Sequence, residues 1–174
     1  MADRMRGGLR WAKRQAAEYG GDDDRPLGGY LAAIGTYLAV TGSTAVASRL
    51  AGRRPSESVK PWDVVLLGVA THKMSRILAK DAVTSPLRAP FTHYEESAGD
   101  AELMESPRQD SSVRHAIGEL VTCPFCLDQW VASGFAAGTV LAPRSTRLAM
   151  LVFAATAVSD ALQLGYAGLQ KLAS

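Results

Sequence analysis

The sequence predicts an all-α fold, an integral membrane bundle of about four transmembrane helices with a cytoplasmic loop between the second and third. Three observations predict it. The run from Leu27 to Ser48 carries no charge, the run from Leu148 to Gln170 carries only Asp160, and the remaining charges crowd into the segments between apolar blocks. A helix rising about 1.5 Å per residue needs about 20 apolar residues to cross a hydrocarbon core of about 30 Å. The totals hide this pattern. A hydrophobic content of 47% and a mean hydropathy of +0.00 over 174 residues look like an ordinary globular protein, because charged connectors cancel apolar blocks in the average.

Each block has its own grounds. The first, near residues 27–48, is long enough to span, and a soluble core helix of that length without one charged face is unusual. Its rival is a cleavable signal, since Ala45 to Ser48 offers a small-x-small cut site. The long preceding segment with Asp22, Asp23 and Asp24 argues against cleavage. The second block, near 61–80, opens with Pro61, suited to the first helical position, and Trp62, suited to a membrane interface. Lys73, Arg76 and Lys80 follow at helical spacing along one face. Such a helix either spans, with its last turns snorkelling or lining a polar cavity, or lies at the surface; the span is the preferred reading.

Residues 81–122 read as a soluble loop, with Pro86, Pro90 and a scatter of acids, ending in an amphipathic helix marked by Val113, Ile117, Leu120 and Val121. The third span runs near 124–142, with Trp130 expected close to an interface and Gly134 and Gly138 as a small-residue pair. The fourth runs near 148–170, where Ala157, Ala161 and Gly165 repeat the seam. Such faces admit a close helix neighbour, including a second copy of the chain in a homo-oligomer.

Residues 1–26 form a basic tail. Leu9, Ala12, Ala16 and Tyr19 share one helical face and Arg6, Arg10, Lys13 and Arg14 occupy others, a pattern for a short helix on anionic headgroups. With four spans and the N-terminus inside, 13 of the 19 lysines and arginines are cytoplasmic and 6 are outside. Both termini, the 81–122 loop and the cysteines are then cytoplasmic, in a multi-pass protein of the bacterial cell membrane whose partners are the lipid bilayer and a cytosolic protein at the loop. A net charge of +2 with no aromatic-studded basic groove argues against nucleic acid.

The segments "DVVLLGVATHKMSRILAKDAVTSPLRAPF" and "HAIGELVTCPFCLDQW" together carry a family resemblance. The motifs in order are Lys73 with Ser75 and Arg76, Lys80-Asp81, Arg88-Ala89-Pro90-Phe91, Gly118-Glu119-Leu120, and Cys123-Pro124-Phe125-Cys126 with Trp130. From about Trp62 to Ala142 the chain resembles the bacterial domain-of-unknown-function thirteen-sixty family, small multi-pass membrane proteins that include a spore-associated member. The resemblance implies a membrane protein of that kind and brings no catalytic residues with it.

Two constellations invite chemistry. If Pro124 is the first residue of the third span, Cys123 is its N-cap, where free backbone N–H groups and the helix dipole favour thiolate, and Cys126 lies one turn on. A thiol–disulfide pair is one reading. Membrane oxidoreductases with such a pair need a second cysteine pair to pass electrons on, and these are the chain's two cysteines. A zinc site from Cys123, Cys126, His115 and His93 is another, though the histidines lack the usual paired spacing. The third reading, two small residues at a helix junction, weighs most because a lone Cys-x-x-Cys is a weak signal.

The other constellation lies within the spans. Thirteen residues separate Lys60 from Lys73 and Arg147 from Asp160, so Lys73 and Asp160 sit at equal depth, about 20 Å from the outer ends. They are expected to pair, either as a register-fixing ion pair or as part of an ion or proton route with His72 and Arg76 nearby. No nucleophile–base pair, phosphate loop or carboxylate dyad stands out, so the sequence leans away from an enzyme and toward a structural or partner-binding membrane protein.

Overall fold

In the computed structural model, residues 25–54, 58–99 and 101–173 are described, with Gly8, Trp11, Arg14, Gln15, Glu18 and Tyr19 of the tail. Most of the expected tail helix, including Leu9, Ala12, Ala16, Arg6, Arg10 and Lys13, lies outside the described residues.

Helix α1, Leu27–Leu50, has no side-chain cap of its own at Pro26. One of its free first-turn donors, Gly29 N–H, is satisfied from a distance by Ser112 Oγ at 3.0 Å. Its far end closes on Gly52, whose φ of +67° places it in the left-handed region, and Arg53 N–H reaches back to the Ser48 carbonyl at 2.9 Å. Helix α2, Pro61–Lys80, starts where Pro61 needs no N–H partner and Asp63 accepts the Lys60 N–H at 3.2 Å. A 3-10 turn, Ala82–Thr84, and the short helix α3, Ser85–Arg88, reverse the chain beneath its end.

Strands β1, Thr92–Gly99, and β2, Glu102–Pro107, then form an antiparallel pair in which His93 faces Ser106 and Tyr94 faces Glu105. This corrects two expectations. The fold is predominantly helical but not all-α, and residues 81–122 are a folded cap rather than a loop. The physical reason is tertiary: the hairpin is irregular, with two register shifts, and is tied to the end of α2 by an Asp81–Glu102 bridge and by Ala82 N–H donating to the Ala101 carbonyl at 2.9 Å. Helix α4, Ser112–Thr122, is capped by Ser111, whose hydroxyl accepts the Arg114 N–H at 3.2 Å. Helix α5, Pro124–Leu141, follows through Cys123 alone, and helix α6, Pro143–Ala173, follows through Ala142. Pro143 opens the last helix, five residues before the expected span, as its missing N–H allows.

The core sits where α2, α5 and α6 meet. Ala70, Val131, Phe135 and Met150 are buried there, with Leu66, Leu67, Met74, Leu78 and Phe153 packed against them. Phe135 and Phe153 stack at a 57° tilt with centroids 6.0 Å apart. Gly138 abuts Thr146 across the α5–α6 corner so closely that a methyl group there would lie 2.6 Å from the threonine hydroxyl. Helix α1 packs separately, against α4 and α5. Trp130 meets the Tyr37 ring edge-on at 5.2 Å, and Trp62 is exposed. Among the described residues, α1 and α6 are each long and apolar enough to cross a membrane. Helices α2 and α5 are shorter, at 20 and 18 residues, and less apolar over that length, so the expected four spans rest on different grounds for each pair.

Candidate functional site

The polar groups gather at one end of the helices, where α1 begins, α2 ends and α5 begins. Helix α2 ends there with carbonyls that lack intrahelical partners. Arg88 supplies them: Nη1 donates to the Leu78 carbonyl at 2.9 Å and to Thr84 Oγ1 at 2.7 Å, and Nη2 donates to the Asp81 carbonyl at 3.0 Å. Its Nε donates to Glu105 of β2, and both side chains are almost fully enclosed, 2% and 4% exposed. A guanidinium so removed from water requires a paired anion and hydrogen-bond acceptors; here Glu105 is the anion and each of the three nitrogens has an acceptor. Arg88 thus holds helix and hairpin together. A second clamp, Arg76 to Glu102, runs alongside it, so Arg76 faces the cap rather than the helix bundle.

Gly118 lets α4 lie directly on this cap. A methyl group there would stand 2.6 Å from the Phe91 carbonyl oxygen and 2.7 Å from Pro107 Cβ. Next to it Glu119 ties α4 to the start of α1: it accepts from Tyr30 of α1, lies 3.5 Å from Arg25 just before that helix and lies 3.6 Å from Nε2 of His115 on its own helix. This is where His115 is engaged. His93 sits exposed on β1, opposite Ser106. Among the described residues no three His, Cys, Asp or Glu side chains converge as a metal site, so the fold does not bring His115, His93, Cys123 and Cys126 together.

Both thiols are free. Cys123 is the N-cap of α5 and its Sγ accepts the Cys126 N–H at 3.3 Å; Cys126 is exposed and Cys123 half-buried. Phe125 between them is 86% exposed.

Along α2, away from the cap, two polar contacts cross to other helices. Ser75, buried, donates to Asp128 of α5. Lys73 Nζ lies 2.6 Å from Asp160 Oδ2 of α6, so the two residues at equal counted depth do meet. His72 is exposed and contributes only its carbonyl, which accepts from Ser75 Oγ at 3.1 Å. Sequence reasoning missed Glu102 and Glu105, which sit in what read as a solvated acidic run, and Asp128. The available signal was the pair of arginines, Arg76 and Arg88, that precede that run.

A family model described as a protein of unknown function (DUF1360) matches residues 66–166. The chain is 27% identical over 103 residues to the sporulation protein YjcA of Bacillus subtilis strain 168, a match covering 58% of this chain and 86% of that protein. No solved structure matches the chain significantly.

Proposed function

The chain belongs to the DUF1360 family of proteins of unknown function, and from that premise we propose that it is a small multi-pass membrane protein that works by holding or binding partners. In this reading α1, α2, α5 and α6 cross the bilayer, and residues 81–122 form a cytoplasmic cap. The observation that carries it is uncovered apolar surface. The apolar windows of α1 and α6 are each only 6% buried within the protein. A core helix of a soluble protein is covered by its own fold, whereas these need an apolar surrounding.

Three further features support it. The hydroxyls of Thr36, Thr41, Ser43, Thr44 and Ser48 on α1 all donate to carbonyls four residues earlier, which leaves no hydroxyl proton needing water. Two basic residues in the second half of α2 are matched, Lys73 by Asp160 and Arg76 by Glu102, as charges on a spanning helix require. The Lys and Arg distribution favours a cytoplasmic N-terminus. Neither the family description nor the relative's name carries a reaction. Alkaline carbonate washing of cell membranes tests the proposal: the protein is expected to stay in the pellet, and recovery in the supernatant would sink it.

The two free thiols, Cys126 exposed and Cys123 half-buried, favour one second reading, a thiol-exchange or metal-binding role for the pair. Alkylation of the purified protein with and without reductant and chelator tests it. Equal labelling of both thiols under every condition removes it.

A further inference from the structure

We infer that the groove between α1 and α5 is a binding site for one anionic glycerophospholipid, with an acyl chain along the groove and the phosphate on Arg49 and Arg53; the inference rests on the membrane reading above. The groove measures about 520 Å³, within the range of about 300–1,000 Å³ usual for small-ligand sites. Val40, Thr44, Gly134, Ala137 and Val140 form much of its wall. The polar groups along it are already satisfied: Tyr37 OH binds Ser133 Oγ at 2.7 Å and receives Gln129 Nε2 at 2.6 Å, and the Thr41, Thr44 and Ser48 hydroxyls donate to their own helix. Apart from its mouth, the groove therefore suits a hydrocarbon.

The mouth is different. Arg49 and Arg53 line it, and among the described residues neither meets a carboxylate. Arg53 Nη1 donates to the Leu141 carbonyl at the end of α5, which anchors the side chain across the groove and leaves its remaining donors for an anion. Asp63, on the same end of the molecule, is occupied by Arg147 at 3.1 Å. An occupant must therefore be apolar along its length and negative at one end. A partner helix fits poorly: about 10 Å across and about 24 Å long, the span from Tyr37 to Arg53, it fills on the order of 1,900 Å³. A single chain of a lipid is the better match in size and charge.

The test uses the full chain in vesicles of phosphatidylglycerol and phosphatidylcholine in equal parts, released in mild detergent and weighed by native mass spectrometry. The wild type is expected to retain phosphatidylglycerol over phosphatidylcholine. Arg49→Gln and Arg53→Gln should each lower that preference roughly fivefold, and together roughly thirtyfold. Ala137→Trp, which fills the groove, should lose both lipids. Thermal melts of the arginine variants, whose side chains end at the surface, check that folding is intact. Equal retention of the two lipids by wild type, an unchanged preference in the double arginine variant, displacement by inorganic phosphate, or a lipid-free dimer joined at this groove would each overturn the inference. Vesicle flotation separates the two levels. A chain that does not float with vesicles fails the membrane reading, whereas one that floats but shows no lipid preference fails this inference alone.

Discussion

The two ends of helix α2 are finished in opposite ways. At its C-terminal end the carbonyls of Leu78 and Asp81 are filled by Arg88, a residue from a separate short helix whose charge is neutralised by a strand. At its N-terminal end the finishing is local and exposed: Lys60 and Asp63 cap each other across three residues, and Arg147 approaches Asp63 with side chains 60% and 39% exposed. The same chemistry, guanidinium against carboxylate, has different weight at each end. Enclosed charges must be matched or the structure fails, while exposed ones exchange their partner for water at little cost. The cap end is therefore a folded unit, and the opposite end is a set of turns.

That contrast can be broken most severely at Arg88. Arg88→Met leaves Glu105 enclosed without its cation and should cost about 3–5 kcal/mol, read as a large drop in the thermal melt; Arg88→Met with Glu105→Leu should recover much of it. Recovery is the sharper result, because it separates the burden of an orphaned charge from loss of shape. Next comes Gly118→Ala, which pushes a methyl group against the Phe91 carbonyl and Pro107 and should cost about 1–3 kcal/mol by the same measure. A smaller effect is expected for Asp160→Asn, about 1 kcal/mol, since the amide still accepts from Lys73. If that variant folds and supports growth as the wild type does, an ion route through this pair is ruled out. The smallest belongs to the open end, where Arg147→Ala should change stability by less than about 1 kcal/mol, with any change shrinking further in high salt. An effect there as large as at Arg88 would erase the distinction between the ends.

The longer helices were legible because each is a periodic or uncharged run bounded by proline, glycine or a charge, and Pro61 and Pro124 mark two starts directly; the short helix α3 was not. The Lys73–Asp160 contact was legible too, since a constant rise per residue turns sequence distance into depth. The hairpin was not. Its strand residues include Glu95, Glu96, Glu102 and Glu105, which read as a solvated run, and their order comes from Arg76 and Arg88 elsewhere in the chain. The zinc grouping failed for a related reason. Spacing brings Cys123 and Cys126 to one helix turn, but His93 is on a strand and His115 is turned to Glu119, and no local pattern reports either placement. Glu102, Glu105 and Asp128 became visible only as partners.

The bond between Gly29 and Ser112 joins residues 83 positions apart. At a synthesis rate of about 5–20 residues per second, helix α1 is complete at Leu50 roughly 3–12 s before the Ser112 hydroxyl that completes its first turn is made. During that interval the helix has neither α4 nor α5 beside it, and the groove along its side has only one wall. Assembly of this protein is thus a matter of timing: its first helix must be held by surroundings other than its own chain until the second half arrives to claim it.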